Sequence, residues 1–305
     1  MKRLLLTGAT GFIGGHALHV LATGGYEVYA VSPTRQQIEC PGVNWIQTDL
    51  LDEVLVRELI CRVKPTHLLH FAWYSSPGKY WTSLENLSWL QASIELLRSF
   101  AEYGGQRAVF AGSCAEYDWN YGYCSEFRTP LQPSTLYGTC KHTLQQVADA
   151  FCKQERLNYA WGRIFFVYGP NEDPNRLVSG AITTLIKGES FNCSHGTQIR
   201  DFLHVTDIAG AFAALLDSKV QGPVNIASGI PVTIREVVST IGRKLNGENL
   251  IRWGALPIPP DEPPLVLADA RRLRDEVQWE PTYDLDAGLE QTIAWWKKRI
   301  SKADE

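Results

Sequence analysis

No run of apolar residues in this 305-residue chain approaches the length of a membrane span. The opening Met1-Lys2-Arg3-Leu4-Leu5-Leu6 breaks at Thr7-Gly8, so it reads as a buried first strand and not as a leader or an anchor. Seven cysteines, odd in number and scattered, form no Cys-x-x-Cys pair and no metal-ligand spacing. That pattern argues for reduced thiols in a cytoplasmic protein, against a disulfide framework, and for no metal site. A basic surplus is missing too: the net charge of −4 offers nucleic acid no footprint, and no long block of like charge suggests a polyelectrolyte partner. Internal repeats and low-complexity stretches are lacking. What is present, 45% hydrophobic and 20% charged residues, suffices for a large core, and these exclusions leave chemistry on small molecules, with neither nucleic acid nor membrane as partner.

Strand-length apolar runs alternate with helix-period segments through the first half of the chain. The runs are Leu4–Thr7, Glu27–Val31, Trp45–Thr48, His67–Phe71, Ala108–Ala111 and Tyr159–Phe165. The predicted helices between them are Gly14–Thr23, Leu55–Val63, Leu84–Tyr103 and Leu136–Gln154. Such alternation predicts an α/β fold, a doubly wound parallel sheet of Rossmann type covered by helices on both faces. Beyond residue 166 the rhythm lapses into Gly- and Pro-punctuated loops with helical patterns at Leu177–Lys187, Ile234–Leu245 and Leu285–Lys298. His204–Leu216 and Pro223–Ala227 look again like a helix and a strand. The expected division is therefore a dinucleotide domain of residues 1–166 plus about 204–228, and a smaller C-terminal α/β substrate domain of about 167–203 plus 229–305.

Gly8, Gly11 and Gly14 stand between the first strand and the first helix. Glycine there allows a tight turn and close backbone approach to a pyrophosphate, whose charge the helix N-terminus then meets. The second strand ends at Ser32, where an NAD site usually has an acid for the ribose 2′-hydroxyl. A hydroxyl there, with Arg35 three residues on, suits a 2′-phosphate, so NADP(H) is expected over NAD(H). Arg35 as a solvated loop residue is the plainer alternative. Asp49-Leu50, closing the third strand, is placed to touch the adenine, and a helix N-cap role suits Asp49 equally.

Tyr137 and Lys141 lie four residues apart, on one helix face. A nearby ammonium favours the phenolate, which would lower the tyrosine pKa and let it trade a proton with an alcohol or ketone oxygen near neutral pH. Ser113 follows the strand Val109-Phe110-Ala111, at the carboxyl edge where open α/β sheets bind ligands, and can orient the same oxygen.

With these residues in this order the chain resembles the extended short-chain dehydrogenase/reductases of the NAD(P)-dependent sugar epimerase/dehydratase family. TGATGFIG, which holds Gly8, Gly11, Phe12, Ile13 and Gly14, resembles the family's cofactor loop, and LLHFA, ending in Phe71 and Ala72, its fourth strand. RIFFVYGP resembles its strand-to-loop crossing and RDFLHVTD its re-entry into the nucleotide domain. The resemblance implies that Ser113, Tyr137 and Lys141 are catalytic, that Lys141 also binds the nicotinamide ribose, and that Arg200 grips a phosphate of a nucleotide-diphosphate sugar. Arg200 pairing with Asp201 or Asp207 is the alternative. It also implies a homodimer through a four-helix interface built from Leu84–Tyr103 and Leu136–Gln154; burial in a larger monomer would explain the same apolar faces.

The chain departs from the family as well. The 4,6-dehydratases carry Asp-Glu after the catalytic Ser/Thr, and this chain has Cys114-Ala115, with Glu116 one position further. Where the GDP-fucose-forming epimerase-reductases carry a cysteine two residues after the serine, this chain has Ala115. Phe166 replaces an asparagine common in the crossing strand, and Pro259 an arginine that often precedes the C-terminal strand. The aromatic loop Trp73–Trp81 leaves the sheet at its ligand edge, so Trp73 and Tyr74 are expected near the substrate, with core or dimer packing as the alternative. His70 is expected in a buried strand, His204 in the family motif, and His195 is the histidine worth testing. The expected activity is NADPH-dependent reduction of a nucleotide-linked 4-keto-6-deoxyhexose, with resemblance to CDP-abequose and CDP-paratose synthases in Gly196–Asp201 and Ile226–Arg235. A 4-epimerase holding NAD⁺ is the enzymatic alternative, and a dinucleotide-sensing regulator without turnover the alternative from another class.

Overall fold

Near-continuous burial along the N-terminal strands dictates the architecture. In the computed structural model, which describes residues 2–34 and 38–302, seven strands form one parallel sheet. They are β1 (Lys2–Thr7), β2 (Tyr26–Ser32), β3 (Val43–Gln47), β4 (His67–His70), β5 (Arg107–Ser113), β7 (Asn158–Ile164) and β11 (Gly222–Ile226), in the order β11-β7-β5-β4-β1-β2-β3. Leu4 and Leu6 of β1 pack toward one face and Leu5 toward the other, as do Val109 against Ala108 and Phe110 on β5. The first face is covered by α1 (Phe12–Thr23) and α6 (Val205–Asp217), the second by α2 (Glu53–Val63), α3 (Glu85–Glu102) and α4 (Leu136–Glu155). Strands buried on both sides need such double cover, and the result is a doubly wound sheet of Rossmann type.

A second sheet of five short strands follows a different logic. It runs β12 (Pro231–Thr233), β10 (Ile199–His204), β14 (Leu265–Ala268), β6 (Tyr123–Cys124), with β8 (Phe166–Tyr168) paired to β10. A two-stranded pair joins β9 (Phe191–Cys193) to β13 (Ile251–Trp253). Beside them α5 (Leu177–Ile186), α7 (Ile234–Leu245) and α8 (Leu285–Ser301) share a core of their own, including Ile182, Val237, Ile241 and Leu289.

One expectation changes, and one strand was not anticipated. His204 ends β10 and caps α6 by accepting from Thr206 N at 3.4 Å, so it precedes the helix it was expected to open. The strand β10 itself, Ile-Arg-Asp-Phe-Leu-His, buries two ionisable residues side by side, a pattern that hydrophobic periodicity does not recognise. Among the described residues no helix is long and apolar enough to cross a membrane, and no cluster of His, Cys, Asp or Glu is arranged to hold a metal.

Candidate active site

The turn from β1 to α1 is built backbone against backbone. Gly8 has φ +67°, and a Cβ there would lie 2.8 Å from Ala72 N; a Cβ on Gly14 would lie 2.1 Å from Gly8 O. No larger residue keeps this loop pressed onto the end of β4. The N-cap of α1 is Gly11, which supplies no side-chain acceptor to the free amides of the first turn. A ready positive helix end beside an open cleft, with no carboxylate or hydroxyl capping it, fits a phosphate group, and with it a dinucleotide.

Ser32 ends β2 as expected and is buried, accepting from Thr34 N at 3.3 Å; Arg35 lies outside the described residues. Asp49 is exposed beyond β3 and accepts from Leu51 N at 3.0 Å. It does not cap α2. That role belongs to Asp52, which accepts from Val54 N and Leu55 N. The side chain of Leu50 packs into the core under α2 and α3.

One cleft brings Gly8, Gly11, Phe12, Ile13 and Gly14 together with Phe71, Ala72, Ser113, Tyr137 and Lys141. Ser113 is the last residue of β5, and Thr135 caps α4 by accepting from Gly138 N at 3.1 Å, which sets Tyr137 and Lys141 on the first turns of that helix. The expectation of a tyrosine softened by its lysine is not what the structure shows. Burial raises the Tyr137 phenol, with an interaction from the Ser113 hydroxyl opposing it, and burial lowers Lys141 to about 7 while Glu116 pulls it back up. Desolvation penalises each charge before the pair can help. The ammonium donates instead to Ala111 O at 2.9 Å.

Glu116, adjacent to the positions that carry acid and base in the dehydratases, is fully enclosed. Its carboxylate accepts from Arg163 Nε at 2.7 Å, from Trp161 Nε1 at 2.9 Å and from Ser113 N at 2.8 Å. Arg163 is equally buried and also donates to the Tyr117 hydroxyl at 3.1 Å. A carboxylate so occupied carries no proton to a substrate; it anchors the backbone that presents Ser113.

Of the aromatic loop, Trp73 lines the cleft and Tyr74 does not; Tyr80 does. The rings of Trp73, Tyr80 and Trp81 stand edge-on to Tyr137 at 6.5, 4.8 and 5.7 Å. Arg200 is buried over Phe166 and ion-paired with Glu262, not with either aspartate expected for it. Asp201 accepts from Ser228 N, Gly229 N and Ala268 N, and Asp207 from Thr282 N and Tyr283 N. Phe166 and Arg200 do not line the catalytic cleft. A neighbouring groove is bounded by Gln198, Pro259 and Glu262, and exposed Arg176, stacked 5.4 Å from the Tyr80 ring, borders both. Tyr80, Arg176 and Glu262 escaped the sequence reading. An arginine after a Pro-Asn turn and a tyrosine late in an aromatic loop carry no local signal of convergence.

His70 lies in β4 as expected, enclosed between Thr7 Oγ1 at 2.7 Å and Ser93 Oγ at 2.9 Å. His195 is exposed and packs on Gly254, away from the cleft.

Comparison with known proteins agrees with this fold. CDP-abequose synthase of Salmonella typhimurium is 24% identical over 95% of this chain and 97% of its own length. UDP-glucuronate 4-epimerase 4 of Arabidopsis thaliana is 27% identical over 96% of this chain and 75% of its own. Among solved structures, MoeE5 in complex with UDP-glucuronic acid and NAD superposes with a TM-score of 0.85 at 27% identity, covering 98% of this chain and 100% of that one. Residues 4–227, from the first strand through the glycine turn and the Ser-Tyr-Lys set to the last strand of the large sheet, match a single family description, and the chain belongs to the NAD dependent epimerase/dehydratase family.

Proposed function

We propose that this chain is an oxidoreductase that reduces the keto carbon of a nucleotide-linked 4-keto-6-deoxyhexose, with NADPH preferred over NADH. The observation that carries the reading is the proton inventory of the cleft. Tyr137 is a phenol kept protonated by burial, Ser113 stands beside it, and Glu116 is locked behind them. This is a donor suited to ketone reduction, and it lacks the acid and base that an elimination needs.

Gly8, Gly11 and Gly14 with the first turn of α1 would hold the pyrophosphate of the dinucleotide. A nicotinamide bound there supplies the hydride. Ser113 then orients and polarises the substrate oxygen, Tyr137 passes its proton to that oxygen, and Lys141, lining the same cleft, would bind the nicotinamide ribose. The preference for NADPH rests on Ser32, since no carboxylate stands there to repel a 2′-phosphate. The neighbouring groove is the natural place for the diphosphate, with Arg176 as its exposed guanidinium.

A 4-epimerase with tightly held NAD⁺ is the second reading, favoured by the relative named UDP-glucuronate 4-epimerase. One assay separates the two. With a 4-keto-6-deoxy sugar nucleotide, the reductase consumes NADPH stoichiometrically, whereas an epimerase interconverts alcohols with no net change in nicotinamide absorbance. Tyr137→Phe should lower turnover about 10²–10⁴-fold while leaving cofactor binding nearly intact; near-normal activity in that variant would overturn the assignment of the donor.

A further inference from the structure

Lys141 is hemmed in on two sides. Its Nζ donates to Ala111 O at 2.9 Å, and the centroid of the Trp73 ring lies 3.8 Å away. An ammonium has three donors. The carbonyl engages one, the electron-rich indole face covers a second direction, and the cleft that Lys141 helps to line lies open to the rest.

The indole is held in place. Trp73 Nε1 donates to Asn86 Oδ1 at 2.9 Å, and Asn86, fully buried in the first turn of α3, donates in turn to Tyr80 O at 2.7 Å and Ser83 O at 2.8 Å. Every polar atom of that amide side chain is engaged, so turning the ring would break a part-buried hydrogen bond to a buried amide. Of the charged and titratable groups around Lys141, the Glu116 carboxylate also favours the ammonium. Tyr137, on its own helix, is kept neutral by burial; His70 on β4 is enclosed and also neutral; Glu116 behind β5 is the nearby carboxylate, and Arg163 already pairs with it.

We propose that Trp73 is a positioning residue for Lys141: its indole face, pinned by Asn86, holds the ammonium in the charged form and aims its free donor into the cleft. Burial, opposed in part by the Glu116 carboxylate, brings this lysine down to about 7, at the edge of losing its charge under neutral conditions. A desolvated contact between a cation and an aromatic face is large enough to tip that balance. The inference rests on the reading of Lys141 as a member of the reacting set and adds a side chain on which its charge depends.

The test is a titration without cofactor. Protein labelled with ¹³C at lysine Cε is followed by NMR across pH, the Lys141 signal being assigned by its loss in Lys141→Met. Trp73 is then replaced site-specifically by mono-, di- and trifluorotryptophan, which nearly preserve its shape while draining the negative face. The Lys141 midpoint should fall stepwise, by about one pH unit over the series. A midpoint unchanged or rising across the series overturns the proposal. The outcome is separable from that of the reaction: an active Tyr137→Phe enzyme would sink the proposed chemistry and leave this titration untouched, and a flat titration beside an inactive Tyr137→Phe enzyme would sink Trp73 alone.

Discussion

Removing a carboxylate that sits fully buried against one buried guanidinium leaves an uncompensated charge in a dry interior. Glu116→Ala should therefore lower the unfolding free energy by about 3–5 kcal/mol, read as a reduced urea midpoint with an unchanged slope. An unaltered midpoint would show that the pair is not holding the site together. Ser32 calls for a binding experiment. Ser32→Asp places a carboxylate where a 2′-phosphate would sit, so fluorescence titration should show NADPH affinity falling and NADH affinity holding or rising. If the wild type already prefers NADH, the expectation fails at the start. Tyr137 and Lys141 were legible in the sequence because their four-residue spacing is local, and Ser113 because it closes an apolar strand. The partners of Glu116 were not, since Arg163 comes beside it only through the pairing of β5 with β7, in which Gly112 faces Arg163.

Within the elements, His70 joins three pieces of the large sheet and its cover: β1 through Thr7, its own β4, and α3 through Ser93. Burial lowers its pKa from 6.5 to about 3, so folded protein resists a proton that unfolded chain accepts. Its stabilising contribution is present above about 6.5 and is lost as pH falls toward 3, a difference of a few kcal/mol over the whole window. Unfolding free energy measured from pH 7 to pH 4 should drop more steeply in wild type than in His70→Gln; parallel curves would contradict the assignment. The strands of the large sheet were readable as short apolar runs alternating with helix-period segments. The five-stranded sheet was not. Its strands are two to six residues long, and β10 buries Arg200 and Asp201 against partners that lie far along the chain, so no period marks it.

For the whole molecule, we propose a homodimer through α3 and α4. Leu87 and Val147, one on each helix, are 50% and 39% exposed, and Leu84 at the start of α3 is 73% exposed, more apolar surface than a core-facing stripe requires. Light scattering should give the mass of two chains, and Leu87→Glu with Val147→Glu should give one chain with little loss of thermal stability. A monomeric wild type would refute the interface. We also propose the division into a dinucleotide part, residues 1–166 with about 204–228, and a substrate part of about 167–203 with 229–305; α6 packs on the large sheet while α5, α7 and α8 share a separate core. The sequence by itself determined the glycine turn, the doubly wound sheet and the placing of Tyr137 and Lys141 on one helix, because each is written in short-range spacing or periodicity. Tertiary structure alone decided that burial raises Tyr137 and lowers Lys141 to about 7, that Glu262 holds Arg200, and that Trp73 and Tyr80 wall the cleft where Tyr74 does not. Those outcomes depend on burial and on meetings between residues distant in the chain, which no local stretch of sequence contains.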